Sequence, residues 1–334
     1  MKIIHTYLKT EKGSKLDKLH MYSMCLSLYL AKRHYEKVVL YTDIETAELV
    51  KRFGLPYDEI NTQLLDGVEV RTFSIPKLMV YSAQTEPYIH IDLDSFIYEK
   101  IHFDDEEVIY STYPEGSEHG VDFGKNARSF YNTYISSSFE IQDKLDEEFL
   151  KEVNFTRVPN MSLFGGYQYE IISKASKYCL ELYEKNKDFF DLSYYNACII
   201  EQLFIPAAVK LLKEEEGDIF KYLFKHNPTF LNFYGNKWEI PFSVETMNVT
   251  LNINTEKDLF KHIMYDFNGF LHLNGYKGYD RLLFLIKQRV LQDFEAYEQI
   301  RKIDYYFKDD TTCNDMCNNY IEYLNNSVKR LKNI

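Results

Sequence analysis

Tyr88-Ile89-His90-Ile91-Asp92-Leu93-Asp94-Ser95-Phe96-Ile97 is a mostly apolar run, rich in β-branched and aromatic residues, that two carboxylates one residue apart interrupt. This composition, entered just after a proline, predicts a buried strand that stops at Asp92 to Asp94. Ligands of an open α/β sheet bind beyond the carboxyl ends of its strands, and two carboxylates there suit a cation and phosphates. The alternative is that the two acids only cap the turn or helix that follows.

Composition and charge narrow the class of protein. The chain has 334 residues, of which 45% are hydrophobic, with 8 Pro and 13 Gly. This predicts a chain folded throughout, as about two domains or as one large domain with additions. Lys and Arg number 39 against 51 Asp and Glu, a net charge of −12. Because a phosphate backbone needs a basic face, this charge disfavours nucleic acid as the main partner.

Neither a targeting segment nor a disulfide framework is expected. The first residues turn polar too soon for a signal peptide, and no apolar run approaches the length of a membrane span, which predicts a cytoplasmic protein. The cysteines are odd in number and scattered through apolar helical patterns, which predicts reduced thiols. They are Cys25, Cys179, Cys198, Cys313 and Cys317. The last two can share a helix face, but a zinc site there would need further ligands nearby.

Apolar runs that alternate with helical spacings predict an α/β fold. The predicted strands are residues 2–7, 38–41, 68–70, 88–92, 108–111, 160–166, 249–253 and 267–272. The predicted helices are residues 16–34, 45–53, 74–84, 169–186, 194–204, 281–297 and 314–332. We expect a mostly parallel central sheet flanked by helices, with one domain over residues 1–280 and a C-terminal helical extension over residues 281–334. Residues 114–146 are expected to form a long excursion over the site.

Two further patterns place unusual residues in apolar surroundings. Gly165-Gly166 ends an apolar run, which offers a close backbone approach to a ligand, although a bulge or a tight turn explains the pair equally well. Glu201 and Gln202 lie within the apolar face of a predicted helix, where an acid and an amide are hydrogen-bonded or functional. The structural alternative is that Glu201 pairs with a buried Lys or Arg.

These residues resemble the nucleotide-sugar glycosyltransferases of the GT-A fold, whose hallmark is an Asp-x-Asp at the end of an apolar strand, as in Asp92-Leu93-Asp94. Glycogenin-like and lipopolysaccharide-galactosyltransferase-like members also carry a late His-x-x-Gly-x-x-Lys element. Here the chain has His272-Leu273-Asn274-Gly275-Tyr276-Lys277, with the lysine one position earlier. The resemblance implies a GT-A type, Rossmann-like sheet. It also implies a metal held by Asp92, Asp94 and His272, and a diphosphate held by Gly275 and Lys277, with Asp92 beside it.

Two more elements resemble the same family. Gly165 and Gly166 are similar to a strand and glycine element that lines the acceptor side. Glu201-Gln202 resembles an acid and Gln pair on a helix, where the usual acid is Asp. The late histidine element resembles members that retain the configuration of the sugar, in which such a pair positions the donor more than it removes a proton. The resemblance thus implies a retaining enzyme with Glu201 and Gln202 as its catalytic residues.

The nucleotide is expected near the end of the first strand. By resemblance, Thr6 and Tyr7 would lie beside the nucleoside, where an aromatic ring can stack on the base. A core aromatic is an equally good interpretation of Tyr7, because the chain has 29 Tyr. Lys77, on the helix before the key strand, would reach the sugar or the phosphates. The alternative for Lys77 is an ordinary surface lysine.

The chemistry of a nucleoside diphosphate leaving group asks for the same residue types. A divalent cation on hard carboxylate oxygens, with an imidazole and a nearby ammonium, neutralises the charge that develops as the glycosidic bond breaks. An imidazole ligand such as His272 favours Mn²⁺ over Mg²⁺.

The function that the resemblance implies is transfer of a hexose from a UDP-sugar donor to a glycan or lipid-linked glycan acceptor, in polysaccharide biosynthesis. Peripheral membrane contact stays open. A first alternative is a non-catalytic, transferase-like module that binds glycan or protein. A second is a metal-dependent sugar-phosphate nucleotidyltransferase, which would normally show an early Gly-rich loop, whereas the stretch after Tyr7 has only Gly13.

Overall fold

The structure is a computed structural model, and it describes residues 1–9, 16–69, 72–115, 148–149, 158–190, 199–213, 219–223, 232–234, 237–239, 242–245, 250–253, 270–272 and 280–308. Its strands are β1 (Lys2–Thr6), β2 (Val38–Tyr41), β3 (Glu59–Asn61), β4 (Tyr88–Ile91), β5 (Ser95–Ile97), β6 (Ile109–Ser111), β7 (Pro114–Glu115), β8 (Val158–Pro159), β9 (Leu163–Gly166), β10 (Phe220–Tyr222), β11 (Asn232–Tyr234), β12 (Lys237–Glu239), β13 (Phe242–Glu245), β14 (Thr250–Ile253) and β15 (Phe270–His272). Its helices are α1 (Lys18–His34), α2 (Ile44–Phe53), α3 (Ser74–Ser82), α4 (Tyr169–Lys185), α5 (Lys187–Phe190), a π-helical segment (Ile199–Phe204), α6 (Ile205–Leu212), α7 (Asp280–Phe294) and α8 (Tyr297–Tyr306). None of these helices combines the length and the apolar character that crossing a membrane requires.

Seven strands form one sheet in the order β10-β6-β9-β4-β1-β2-β3. Strand β1 runs parallel to both β2 and β4, whereas β9 runs antiparallel to its neighbours β4 and β6. The predicted α/β fold with a mostly parallel central sheet flanked by helices is confirmed. Because β1 lies between β2 and β4, the strand order reverses there, and open α/β sheets bind ligands at the carboxyl edge of such a switch point.

Apolar residues cover both faces of this sheet. Alternate residues of a strand point to opposite faces, so Ile3 and Ile89 join one buried cluster while Ile4 and Tyr88 join the other. Helix α1 supplies much of the first cluster, and helices α3 and α4 supply much of the second. Helices α7 and α8 pack against α1 and add to the first cluster, for example through Ile286. The predicted domain boundary at residue 280 stays a prediction.

Local sequence rules set several helix ends. The Asp43 carboxylate accepts a hydrogen bond from the Thr46 N–H at 2.7 Å, which satisfies one of the free donors of the first turn. Gly54 ends the helix in the left-handed conformation, with φ of 76°. Asp17 caps α1 in the same way, by accepting from the His20 N–H at 2.8 Å. These ends fix where each helix returns the chain to the sheet.

The predicted strand at residues 68–70 is wrong where the chain is described, since residues 68–69 are irregular and the third strand is β3. Strand β3 is short, lies at the sheet edge and has no hydrophobic alternation, so backbone pairing alone defines it. The Thr42 N–H donates to the Asn61 carbonyl at 3.0 Å, and the Asp58 N–H donates to the Val38 carbonyl at 3.0 Å. Val68 packs its side chain against the second cluster without forming a strand.

Two predicted helices also differ from the observed ones. The helix predicted over residues 194–204 is π-helical over Ile199–Phe204 and continues as α6, while residues 194–198 lie outside the described chain. The helix predicted over residues 281–297 breaks at Glu295, whose φ is 51°, so that two shorter helices, α7 and α8, take its place. The helix predicted over residues 314–332 lies outside the described residues. So do Cys313, just before it, and Cys317, in its first turn.

Gly165 and Gly166 lie where two neighbouring strands press against β9. Their φ angles are 139° and 150°, which residues with a Cβ rarely adopt. A Cβ on Gly165 would collide with the carbonyl oxygen of Tyr88, and a Cβ on Gly166 would lie 2.8 Å from the carbonyl oxygen of Val108. The backbone approach that these glycines permit is therefore made by the β4 strand on one side and by the residue before β6 on the other.

Gly165→Ala is expected to lower the free energy of unfolding by about 3 kcal/mol or more, because strain at positive φ adds to a backbone collision. Gly67→Ala is the matched control. Gly67 also has a positive φ, of 71°, but a Cβ there meets nothing within 4 Å, so only a conformational cost of about 1 kcal/mol applies. Urea denaturation measures both variants, and equal stability would contradict the collision.

Candidate functional site

A tight turn presents two carboxylates at the carboxyl end of β4. The Asp92 N–H donates to the Ser162 carbonyl at 2.8 Å, which extends the pairing of β4 with β9 by one step. The Ser95 N–H then donates to the Asp92 carbonyl at 2.9 Å and closes the turn. The predicted end of the strand at Asp92 is confirmed, since β4 ends at Ile91. Asp94 is 5% exposed, so both its position and its hydration are restricted.

His272 reaches the same turn from a distant part of the chain. Strands β5 and β15 pair antiparallel, with Ser95 directly opposite His272. This pairing brings His272 Nε2 to 3.7 Å from Asp94 Oδ1, and both residues are buried. Asp92, Asp94 and His272 each offer a ligand atom, and these atoms all lie within 4.8 Å of one another. The three residues predicted to share a metal therefore lie together.

This donor set fits a divalent cation. His272 Nε2 and Asp94 Oδ1, 3.7 Å apart, are close enough to bind one ion at about 2.1 Å, and the ligand atoms of all three residues lie within 4.8 Å of one another. Carboxylate oxygens suit hard divalent ions, and the imidazole favours Mn²⁺ over Mg²⁺. Asp92, Asp94 and His272 are thus the described residues best suited to hold such an ion, whose binding here stays a prediction.

Lys77 lies between two carboxylates beside this cluster. Its Nζ is 2.6 Å from Asp92 Oδ1 and 3.0 Å from Glu201 Oε1. The Lys77 side chain is 12% exposed and that of Glu201 is 2% exposed, so Lys77 is not the surface lysine of the alternative interpretation. Burial acts to lower the pKa of Lys77, but Asp92 and Glu201 outweigh it and hold that pKa above its ordinary value. Lys77 is consequently a permanent ammonium at neutral pH.

The π-helical segment contains Glu201 and Gln202, and it brings Glu201 to Lys77. A π turn widens the helix, and such turns are common at functional sites. Here Glu201 faces Lys77, which matches the structural alternative that this acid pairs with a buried cation. Gln202 is half-buried, and its Oε1 has no hydrogen-bond partner among the described residues. The structure thus brings Glu201 to Lys77 and Asp92, while the catalytic roles predicted for Glu201 and Gln202 stay predictions.

The end of β1 carries Thr6 and Tyr7 to the same edge of the sheet. Thr6 Oγ1 is buried and, within the described chain, lacks a hydrogen-bond partner. The Tyr7 ring belongs to the first apolar cluster and is 6% exposed, with its edge toward the His20 ring at 6.4 Å between centroids. Tyr7 is therefore a core aromatic in this conformation, and stacking on a base stays a prediction for it.

Gly165 and Gly166 are not brought to the carboxylates. Gly166 and Gly165 pair with Tyr88 and Ile89, at the amino end of β4. Tyr88 and Ile89 come four and three residues before Asp92, about 13 and 10 Å along the strand, so the glycine pair lies well away from Asp92. Their predicted contact with substrate stays a prediction. Gly275 and Lys277, predicted to hold the diphosphate, lie outside the described residues.

His90 and Tyr81 are polar groups of the site that the sequence analysis did not single out. His90 is fully buried in β4, its Nδ1 lies 3.8 Å from Asp92 Oδ1, and its ring packs edge-on against Tyr81 with centroids 5.2 Å apart. Burial lowers the pKa of His90 well below its ordinary value, and the Lys77 charge adds to this. The sequence does hold a signal for His90: it comes two residues before Asp92, and residues two apart in a strand lie on the same face.

Comparison with known proteins gives a family and one solved structure. The model of a family of unknown function, DUF6734, matches residues 1–303. The chain belongs to the DUF6734 family. The match includes the carboxylate turn, Lys77, Glu201 and His272, and it extends into α8. No curated protein matches this DUF6734 chain.

The DUF6734 chain is also similar to a crystal structure of an active-site mutant of LgtC. The two share 9% sequence identity and a TM-score of 0.35, over 60% of this chain and 70% of that one. A TM-score this low carries no argument about activity or mechanism.

Lys77→Met is expected to lower the free energy of unfolding by about 3 kcal/mol, because it leaves two carboxylates in a mostly buried place without their cation. Since the folded-state pKa of Lys77 is raised, its stabilising contribution is complete below the unfolded value of about 10.5 and is lost only at higher pH. Combining Lys77→Met with Glu201→Gln should recover part of the loss. Chemical denaturation at pH 7 and at pH above 10.5 measures these effects.

The matched control for this prediction is Lys32→Met. Lys32 pairs with Asp58, and both side chains are about a third exposed, so this substitution is expected to cost less than about 1 kcal/mol. A loss for Lys77→Met no larger than that of the control would contradict the stabilising role of Lys77.

Proposed function

We propose that this DUF6734 protein is a metal-dependent glycosyltransferase of the GT-A type. In this proposal it transfers a hexose from a UDP-sugar to a glycan or lipid-linked glycan acceptor. The observation that carries the proposal is the Asp92, Asp94 and His272 cluster at the carboxyl edge of β4, beside the switch point of the sheet. A hard donor set at this edge is suited to a cation that bridges to phosphates.

The proposed roles follow from charge and position. Asp92, Asp94 and His272 would hold Mn²⁺ or Mg²⁺, which when bound would neutralise the negative charge of the departing diphosphate. The Lys77 ammonium lies 2.6 Å from Asp92 Oδ1, so it is placed to add a second positive charge beside the donor. By resemblance to the GT-A glycosyltransferases, Lys277 and Gly275 are proposed to bind the diphosphate.

We propose that the enzyme retains the configuration of the sugar, because this outcome fits the surroundings of Glu201 and Gln202. An inverting enzyme needs a carboxylate that is free to accept the proton of the acceptor hydroxyl. Glu201 Oε1 lies 3.0 Å from Lys77 Nζ, a pairing that engages this carboxylate and suits it to positioning more than to proton removal. Gln202, which cannot act as a base, has a buried Oε1 that is available to accept a hydrogen bond from a sugar hydroxyl.

The nucleoside is proposed to bind beyond β1. Thr6 Oγ1 is a buried hydroxyl without a hydrogen-bond partner among the described residues, and it can bind a polar group of the nucleotide. Tyr7 would need to turn out of the apolar cluster to stack on the base. We leave Gly165 and Gly166 out of the proposed site, because the packing of the strands explains both glycines.

Donor binding and turnover test this function together. With Mn²⁺ present, UDP is expected to raise the thermal unfolding temperature, and a UDP-hexose from a panel is expected to be slowly cleaved to UDP and free sugar when water replaces the acceptor. Asp94→Asn should reduce this cleavage at least about 100-fold, because it weakens the charge stabilisation of the leaving group. Coupled detection of released UDP measures the rate.

Asp105→Asn is the matched control, since Asp105 is an exposed acid paired with Lys221 on the surface. It should cleave the donor at the wild-type rate. Metal-dependent binding of UDP without any turnover would favour a non-catalytic module. Failure of every nucleoside diphosphate to stabilise the protein with metal would overturn the proposal.

A further inference from the structure

A buried row of polar groups lies on the face of the sheet that α1 covers, opposite the face of Lys77 and α3. The row leads to the turn that carries the carboxylates. His5, in β1, has its Nδ1 2.8 Å from the Tyr57 hydroxyl and its Nε2 3.2 Å from Ser27 Oγ. Ser27, in α1, donates its hydroxyl hydrogen to the carbonyl oxygen of Ser95 at 2.8 Å. The row therefore ends on the backbone immediately after Asp94.

The direction of every hydrogen bond in the row follows from its last member. A carbonyl oxygen can only accept, so the Ser27 hydroxyl must donate its one hydrogen to the Ser95 carbonyl. It must therefore accept a hydrogen bond from His5. His5 then carries its proton on Nε2, which leaves Nδ1 as the acceptor of the Tyr57 hydroxyl hydrogen. One neutral tautomer of His5 satisfies all three contacts.

Burial keeps the row in this protonation state. His5 is fully buried and Ser27 is 2% exposed. Desolvation lowers the pKa of His5 to about 3, so the imidazole is neutral at physiological pH. Burial likewise raises the pKa of Tyr57 well above its ordinary value, so its hydroxyl remains a donor. Because each buried group has its partner, removing one leaves another unsatisfied.

The row fixes the residue on which the metal cluster is assembled. The Ser95 N–H bonds to the Asp92 carbonyl, and the Ser95 carbonyl bonds to Ser27, so both backbone groups of Ser95 have partners outside β15. Ser95 lies directly opposite His272 in the pairing of β5 with β15. A shift of Ser95 would therefore change the distance between His272 and Asp94.

We propose that His5 and Ser27 are positioning residues for the metal cluster, acting through the Ser95 carbonyl on the separation of Asp94 and His272. This inference rests on the metal site of the proposed function. Neither residue touches the metal or the substrate in this account. They act on how well the three ligands are placed for one ion. Hydrogen-bond partners that lie behind metal ligands commonly have this effect.

Mn²⁺ affinity of the full chain tests this inference without any turnover. Free Mn²⁺ is counted by its electron paramagnetic resonance signal during titration of wild type and variants. Ser27→Ala is expected to weaken Mn²⁺ binding about 10-fold. His5→Phe is expected to do the same, whereas His5→Gln, which keeps a donor and an acceptor on one side chain, should lie closer to wild type.

Ser23→Ala is the matched control, because Ser23 is a buried serine of the same helix, one turn before Ser27. Thermal unfolding of both serine variants confirms that the titrations use folded protein. Equal Mn²⁺ affinity for Ser27→Ala, Ser23→Ala and wild type would overturn the positioning role and leave the metal site intact. Failure of wild type itself to bind Mn²⁺ would overturn the metal site and, with it, this inference.

Discussion

Two carboxylates one residue apart, at the end of a buried strand, are unstable without positive charge beside them. Asp92 and Asp94 lose hydration when the sheet is covered, and they repel each other because the turn holds them close. Lys77 from α3 supplies a positive charge beside Asp92, and His272 from β15 places an imidazole beside Asp94, so that each acid has a partner from a different part of the chain. Much of the local architecture, including the pairing of β5 with β15, serves to keep these partners in place.

The two faces of the sheet support the carboxylate turn in different ways. On the α3 face, charged groups meet: Lys77 joins Asp92 to Glu201, and His90 lies behind them. On the α1 face, a neutral row through His5 and Ser27 holds the backbone at Ser95. Charge on one side and neutral hydrogen bonds on the other suit a turn that must present acids at a fixed geometry. A rigid frame of this kind favours preorganised charge stabilisation.

The parts of the site that could be predicted from sequence are those set by local composition. The strand before Asp92 follows from an apolar run and is confirmed, and the caps of α2 are formed by residue types that favour helix ends, Asp43 and Gly54. His272 was placed beside Asp94 only through a family resemblance, because no local pattern reveals the pairing of two three-residue strands. The contact of Lys77 with Glu201 depends on a π-helical turn, which no periodicity in the sequence indicates. Strand β3 was missed because an exposed edge strand has no hydrophobic alternation.

Asp92, Asp94 and His272 are proposed to bind one divalent cation at the carboxyl edge of β4. Anomalous diffraction at the manganese absorption edge, from crystals grown with Mn²⁺ and UDP, tests it most directly. We expect a single strong anomalous peak at about 2.2 Å from an oxygen of each carboxylate and from His272 Nε2. No peak at this cluster in well-ordered crystals, or a peak bound only elsewhere on the chain, would contradict it.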